Sequence, residues 1–289
     1  MNLLTRDLLV QLESLQIPSR RKRASHLRGE KTGSRKGASV EFSDYREYLH
    51  GDDIRSIDWN VYARTERLFL KLFFEEQSKP VYFLVDASRS MAFGTPTKFD
   101  YALALASALS YVCLKKYDQP HLLLLQKNCF RKVTFSSLKS FFATTEQLAK
   151  TETAGETFLT SSLRKIAFSR YRQGIYFILS DFFSPDGFEG LKLLASTGNE
   201  VKCLQILSEE ELRPTLRGDL RLIDSETSGH SDVSVSPQIL RKYAARLAAL
   251  QAEIKSASVS SGCEYYAVST STPLSSLLLK DLRKTGIVV

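Results

Sequence analysis

From residue 80 onward, short apolar runs alternate with longer apolar or amphipathic segments, and two of the short runs end in an aspartate. The run over residues 80–86 ends in Asp86, and the run over 174–181 ends in Asp181. Apolar runs of this length, set between helical segments, are typical of strands that are buried on both faces of a parallel sheet. The pattern predicts an α/β fold with a doubly wound, mostly parallel sheet over residues 80–289.

The spacing of apolar residues and turn signals sets the expected elements of this region. We expect strands over residues 80–86, 121–126, 130–135, 174–181, 200–207 and 263–269. We expect helices over residues 97–117, 137–150, 158–171, 187–197, 237–260 and 273–284. The second and third strands should form the one antiparallel pair, and a β-hairpin insertion is predicted at about 210–235.

The first part of the chain has a different character, and we treat residues 1–79 as an extension that packs on the core domain of residues 80–289. An amphipathic helix is expected over residues 2–16, followed by a basic loop. Residues 39–79 are polar, aromatic and densely charged, and they end in a strand expected over 67–76. Two regions are therefore predicted, an N-terminal extension and an α/β domain.

The excess of positive charge is concentrated in one short segment of the chain. The chain has a net charge of +8, and eight basic residues against one acidic residue lie between Arg20 and Lys36. This loop could contact phosphates, acidic protein or anionic lipid. Because no aromatic residue is interleaved for base stacking, we favour a solvated or protein-docking loop, and nucleic acid is not expected as a partner.

Composition narrows the class of protein. Of the 289 residues, 43% are hydrophobic and 25% charged, which is ordinary for a globular domain with a real core. No apolar run approaches the ~18–20 residues of a membrane span and no signal-peptide pattern is present, so we expect a cytoplasmic protein. The cysteines form no Cys-x-x-Cys pair and are expected to be buried reduced thiols.

Side-chain oxygens follow the first strand at a spacing of two residues, on Asp86, Ser88 and Ser90. Ligands of parallel sheets bind at the carboxyl ends of strands, so Asp181 should lie close by if the two aspartate-terminated strands are neighbours. Thr157, in a loop that precedes a helix, would add another hydroxyl. Hard oxygens suit Mg²⁺ or Mn²⁺ rather than zinc. Separate helix caps and turns would explain the same residues less economically.

The five residues resemble the metal-ion-dependent adhesion site of the von Willebrand factor A fold, in which Asp-x-Ser-x-Ser is followed by a Thr and then an Asp. The resemblance implies a von Willebrand factor A-like fold and one Mg²⁺ or Mn²⁺ held by Asp86, Ser88, Ser90, Thr157 and Asp181. The family usually has Gly-Gly-Thr before the helix. In this chain Glu156 replaces the second glycine, which puts an additional acid near the site.

The segment before the first strand narrows the resemblance further. It is similar to the signature of the bacterial domain of unknown function 58 (DUF58) family in residues 41–46, 48–53, 55–59 and 63–64. Such proteins are commonly encoded beside MoxR-type AAA+ ATPases, so the resemblance implies an ATPase of this type, or a client protein, as the partner. Some relatives carry N-terminal membrane helices, and none is predicted from this sequence.

Within the signature we select Arg55, Asp58, Trp59 and Arg64 as candidate partner-binding residues. A purely structural collar around the first strand is the alternative. A second metal cluster built on the aspartates of this segment is less favoured, because neighbouring arginines point to ion pairs and loop caps.

The leading hypothesis is a non-enzymatic module that grips an acidic side chain of a partner protein through Mg²⁺. One alternative is an adaptor for nucleic acid or a membrane surface that works through the basic loop. A metal-dependent phosphoryl-transfer enzyme is another, since an aspartate at a strand end can be a nucleophile. Aspartyl phosphatases of the haloacid dehalogenase type need a second acid two residues after the nucleophile as general acid, and this position is Ser88, which cannot serve.

Overall fold

The computed structural model describes residues 4–19, 40–75, 80–126, 129–135, 137–223 and 229–289. The chain divides into two compact units. The larger unit contains residues 1–19 and 79–289, and the smaller unit contains residues 20–78. The basic segment between Arg20 and Lys36 lies outside the described residues.

The described residues form ten strands and ten helices, with short 3₁₀ and π segments between some of them. The strands are β1 (Val40–Glu47), β2 (Phe69–Glu75), β3 (Pro80–Asp86), β4 (Gln119–Gln126), β5 (Cys129–Thr134), β6 (Ile175–Ser180), β7 (Glu200–Leu207), β8 (Gly218–Ile223), β9 (His230–Val235) and β10 (Glu264–Ser269). The helices are α1 (Arg6–Leu12), α2 (Trp59–Thr65), α3 (Lys98–Lys115), α4 (Leu138–Leu148), α5 (Leu159–Ala167), α6 (Glu189–Ser196), α7 (Glu209–Leu212), α8 (Pro237–Ser260), α9 (Leu274–Ser276) and α10 (Leu282–Lys284).

A six-stranded sheet in the order β10-β7-β6-β3-β4-β5 is the centre of the larger unit. All neighbouring strands are parallel except β4 and β5, which pair antiparallel. Every residue of β3 and β6 is buried, as expected for strands covered on both faces. The predicted doubly wound, mostly parallel sheet with one antiparallel pair is therefore confirmed.

Apolar side chains pack on both faces of this sheet. One face carries the larger core cluster, which includes α3, whose residues are almost all buried. The other face carries a second cluster with α5 and α6. Helix α3 begins after Thr97, whose hydroxyl accepts the Asp100 N–H and so satisfies a free amide of the first turn. Burial on every side explains why the helix is apolar nearly all round.

Helix α1 is part of the larger unit and not of the segment that follows it. Leu8 and Leu12 are buried in the same core cluster as α3. Beyond the helix, the backbones of Gln16 and Val289 exchange two hydrogen bonds, each 2.9 Å long. The N-terminal helix and the chain after α10 thus stabilise each other at the surface of the sheet domain.

The smaller unit is built on an antiparallel pair of strands, β1 and β2. The sequence predicted a strand over residues 67–76 and missed β1 altogether. The register of the pair shifts between Phe42 and Asp44, so β1 is irregular at this point. Helix α2 lies between the two strands in the chain and is capped by the Asp58 side chain.

The remaining elements agree with the prediction apart from their ends. The insertion at 210–235 contains a short helix, α7, as well as the hairpin of β8 and β9, which begins at Gly218. The helix expected over 273–284 is interrupted by a π-helical segment, Leu277–Asp281. Three cysteines are buried free thiols, as expected: Cys113, Cys203 and Cys263. In the described part of the chain, no helix has the length and apolar character needed to cross a membrane.

Candidate metal centre

The carboxyl ends of β3 and β6 meet at the point where the order of strands reverses. Within the sheet, β4 lies on one side of β3 and β6 lies on the other side. Such a switch point leaves a crevice in which ligands of α/β sheets bind. Asp86 is the last residue of β3, and Asp181 directly follows β6. The sheet therefore brings the two aspartates that the sequence selected to neighbouring positions.

The Asp86 carboxylate is buried and held by neutral donors. The Ser180 hydroxyl donates to Oδ2 at 2.6 Å, and the Ser88 backbone N–H donates to Oδ1 at 3.0 Å. Burial raises the pKa of Asp86, the nearby Asp181 raises it further, and hydrogen bonds from Ser180, Ser88 and Thr157 oppose the shift only in part. A nearby positive charge would favour the ionised form of this carboxyl group.

Asp181 is equally buried, but its carboxylate has a cationic partner. The Lys98 ammonium lies 2.8 Å from Asp181 Oδ2, and the Phe183 N–H donates to Oδ1 at 3.0 Å. Lys98 also contacts Glu211 Oε1 at 2.5 Å. Burial alone would lower the pKa of Lys98, but Asp181 and Glu211 outweigh burial and raise the pKa. The lysine is therefore held charged beside the predicted site.

The three hydroxyl residues lie on loops around Asp86. The hydroxyls of Ser88 and Ser90 are 3.0 Å apart. The loop that carries them is tied to the loop before α5, because the Arg89 N–H donates to the Gly155 carbonyl at 3.0 Å. That second loop brings Thr157, a buried residue, to the same edge of the sheet. The structure thus assembles all five residues that the sequence selected, from three separate segments.

Three residues of this centre were not selected from the sequence. Ser180 is the neighbour of Asp181, and its contact with Asp86 depends on the pairing of β3 with β6. Lys98 begins an apolar helix, where a lysine usually extends to solvent. Glu211 belongs to a capping box with Ser208, which was the one sequence signal for its position. Nothing in the local sequence indicates that Lys98 and Glu211 would meet.

The four candidate residues of the smaller unit have different environments. Asp58 is buried, and its carboxylate accepts the Asn60 N–H at 2.9 Å and the Tyr45 hydroxyl at 2.9 Å. That carboxylate therefore caps α2. Trp59 is 61% exposed and contacts the Tyr62 ring edge-on. The side chains of Arg55 and Arg64 are exposed as well.

The chemistry of the main centre suits a hard cation. Its donors are carboxylate and hydroxyl oxygens, and no nitrogen or sulfur ligand is among them. Within the described residues, no three His, Cys, Asp or Glu side chains are grouped so that they could hold a metal ion. The two aspartates and the hydroxyls of Ser88, Ser90 and Thr157 are the predicted oxygen donors that the structure brings to this edge.

The sequence is similar to one protein family and to uncharacterized mycobacterial proteins. The model of a family described as "Protein of unknown function DUF58" matches residues 44–253, which is well over half of the chain. The uncharacterized proteins Rv1480 of Mycobacterium tuberculosis and Mb1516 of Mycobacterium bovis are each 24% identical over 254 residues, or 86% of this chain and 80% of theirs.

Solved structures show more distant similarity. A conserved hypothetical protein, BatB, from Bacteroides thetaiotaomicron is 14% identical, with a TM-score of 0.42, and the match covers 72% of this chain and 98% of that one. The VWA domain of SpRpn10 is 13% identical, with a TM-score of 0.40 and coverage of 71% and 95%.

Proposed function

The chain belongs to the DUF58 family, and we propose that it is a protein-binding module that holds an acidic side chain of a partner through a divalent metal ion. The metal would be Mg²⁺ or Mn²⁺, held by Asp86, Ser88, Ser90, Thr157 and Asp181. The module is non-enzymatic in this proposal, since binding alone accounts for the arrangement of the site.

The state of Asp86 is the observation that carries the proposal. Asp86 is 4% exposed, and its carboxylate lies near that of Asp181 and receives its hydrogen bonds from neutral groups. A buried carboxylate of this kind is costly to ionise without a cation. A divalent ion next to Asp86 would relieve that cost, which is why we place the metal here.

The aspartates and the hydroxyl residues would have different roles in such a site. Asp86 and Asp181 would supply the negative charge, while Ser88, Ser90 and Thr157 would supply neutral oxygens that fill the coordination shell without adding charge. When bound, the metal ion would supply the positive charge that attracts a carboxylate from outside. Two exposed aromatic residues, Phe93 shortly after Ser90 and Phe183 shortly after Asp181, would offer apolar contact to the same partner.

We further propose that the partner is a MoxR-type AAA+ ATPase or a client that such an ATPase delivers. The match of residues 44–253 to the DUF58 family supports this choice of partner. In the smaller unit, the exposed side chains of Arg55, Trp59 and Arg64 would add a second contact surface. Asp58 would contribute only by fixing α2, because its carboxylate is buried.

Metal binding is the first test. Mn²⁺ is titrated calorimetrically into the full chain and into Asp86→Asn, which keeps the shape of the side chain and removes its charge. We expect the wild type to bind one Mn²⁺ and the variant to lose at least about tenfold in affinity. Asp186→Asn is the matched control, because Asp186 lies at the same edge but caps α5 through the N–H groups of Thr160 and Ser161. Equal Mn²⁺ binding by all three proteins would contradict the proposal.

Partner capture is the second test. The purified ATPase is mixed with immobilised wild type or Asp86→Asn, each in Mg²⁺ and in EDTA. We expect retention only by the wild type in Mg²⁺. Retention in all four samples would show that docking does not use the metal site.

A further inference from the structure

Lys98 places a positive charge inside the proposed metal centre. Its side chain is 1% exposed, and its ammonium lies between two carboxylates, Asp181 at 2.8 Å and Glu211 at 2.5 Å. The Phe183 ring is 5.2 Å from the ammonium. A buried lysine is retained in a fold only when its charge is compensated, and here one of the compensating groups is a predicted metal ligand.

The position of this ammonium is fixed from several sides. The backbone N–H of Lys98 donates to the Phe93 carbonyl at 3.0 Å, in the loop that follows Ser90. Glu211 is oriented by its capping box, since its Oε2 accepts the Ser208 N–H at 2.9 Å while its Oε1 contacts Lys98. Lys98 therefore links the loop of one aspartate to the carboxylate of the other.

The charges determine what this link does to a bound cation. With all groups ionised, the Lys98 ammonium contacts the carboxylates of Asp181 and Glu211, and the Asp86 carboxylate beside Asp181 has no cationic partner among the contacts described above. Because the Lys98 ammonium offsets part of the negative charge of Asp181, Asp86 would supply the larger share of the charge that balances a divalent ion. An ion held in this way keeps more of its positive charge than one held by two free aspartates.

We infer that the positive charge of Lys98 lowers the affinity of the centre for a metal ion and keeps the bound ion attractive to a partner carboxylate. The negative charge of Glu211 partly compensates that of Lys98 and so limits both effects. The inference rests on the proposed function, because it concerns the same site. Lys98 and Glu211 are positioning residues, acting on the metal through Asp181 and through the field at the site.

The two residues should shift metal affinity in opposite directions, which a purely structural ion pair would not do. Mn²⁺ is titrated into the full-length wild type, Lys98→Met and Glu211→Gln, with folding checked by circular dichroism. Loss of the ammonium should tighten Mn²⁺ binding by about tenfold or more, because Asp181 becomes a free carboxylate. Loss of the Glu211 charge should weaken Mn²⁺ binding about threefold or more.

Lys202→Met provides a matched control. Lys202 is also buried, and its ammonium lies 2.9 Å from Glu264, but this pair is on β7 and β10 away from their carboxyl ends. The same loss of a buried charge there should leave Mn²⁺ affinity unchanged. If Lys98→Met and Lys202→Met shift affinity equally, the effect is one of general stability and the inference is overturned.

The outcomes also separate this inference from the proposed function. Binding of Mn²⁺ by the wild type, with no opposite shifts in folded Lys98→Met and Glu211→Gln, would overturn the role of Lys98 and leave the metal site standing. Absence of Mn²⁺ binding in the wild type and in both variants would overturn the two together. If Lys98→Met does not fold, Glu211→Gln decides the matter, and unchanged affinity in that variant counts against the inference.

Discussion

The Ser180 hydroxyl donates a 2.6 Å hydrogen bond to the Asp86 carboxylate, and so joins the ends of two neighbouring parallel strands. The same hydroxyl accepts the Phe182 N–H at 2.9 Å, at a residue whose φ is +61°. One buried serine thus supports both the aspartate of the candidate metal centre and the sharp turn after β6. This pair of contacts makes Ser180 a structural support of the site.

Ser180→Ala should destabilise the fold by about 1–3 kcal/mol, because it removes the hydroxyl that donates to Asp86 Oδ2 and accepts the buried Phe182 N–H. Urea unfolding in EDTA would measure the change. Ser107→Ala is the control, since Ser107 is buried and its hydroxyl has no hydrogen-bond partner among the described residues. That substitution should be neutral or slightly stabilising. Equal effects of the two would mean that the Ser180 contacts contribute nothing.

Asp86→Asn should change how stability depends on pH in the absence of metal. The pKa of Asp86 is raised by burial and by Asp181. Its contribution to stability is therefore present below the pKa of the unfolded state, about 4, and is lost as the pH rises through the folded pKa. In EDTA the variant should gain about 1–3 kcal/mol relative to the wild type between pH 4 and pH 7.

Urea unfolding of both proteins at several pH values would show this difference. Addition of Mg²⁺ at pH 7 should stabilise the wild type and not the variant, since a ligand that binds only the folded state shifts unfolding by mass action. If the variant and the wild type have the same free energy of unfolding at every pH, ionisation of Asp86 does not destabilise the metal-free protein.

Leu12→Ala should destabilise the larger unit by about 2–5 kcal/mol, because Leu12 is fully buried in the core shared with α3. Val10, two residues earlier on the same helix, is 65% exposed. Val10→Ala should therefore change the free energy of unfolding by no more than about 0.5 kcal/mol. Thermal unfolding of the two variants compares them directly. Similar small effects would mean that α1 does not contribute to the core.

His121→Phe should flatten the acid limb of the stability profile. His121 stacks on Tyr82 with ring centroids 5.1 Å apart, and burial together with Lys132 lowers its pKa from 6.5 to about 4. A base with a depressed pKa contributes stability above its unfolded pKa, and that stability is lost as the pH falls from 6.5 towards 4. Because the imidazole is half-buried, we expect the loss to be about 1–2 kcal/mol.

Phenylalanine keeps the stacked ring and removes the titration, so the variant should lose less stability than the wild type between pH 7 and pH 5. Urea unfolding at these two pH values measures the difference. His230→Phe is the control, since His230 is exposed on β9. An equal acid sensitivity of wild type and His121→Phe would refute the assignment.

The parallel sheet could be predicted because its strands are marked by the sequence itself. Strands β3 and β6 are mostly apolar, and an aspartate ends β3 and directly follows β6, a combination that needs no long-range information. Strand β1 gave no such signal. It mixes acidic, basic and apolar residues, with Glu41, Asp44 and Arg46 among them, and it is recognisable as a strand only through its pairing with β2.

The five candidate ligands could be selected from spacing and from resemblance, whereas the groups that set their charge could not. Lys98 is 83 residues from Asp181 and 113 from Glu211 in sequence. At the start of an apolar helix, a lysine has no local feature that separates a buried ion pair from a solvent-exposed end. The distinction depends on where the segment of Ser208 and Glu211 folds, which is a property of the whole domain.

The separation of the site residues along the chain has a consequence for synthesis on the ribosome. Ser180 and Asp86 are 94 residues apart, and β6 must pair with β3 before they meet. A nascent chain that has exposed the first aspartate and its serines thus holds an incomplete set of donors for several seconds, at usual rates of about 5–20 residues per second. We therefore expect a nascent chain to bind the metal only after β6 has paired with β3.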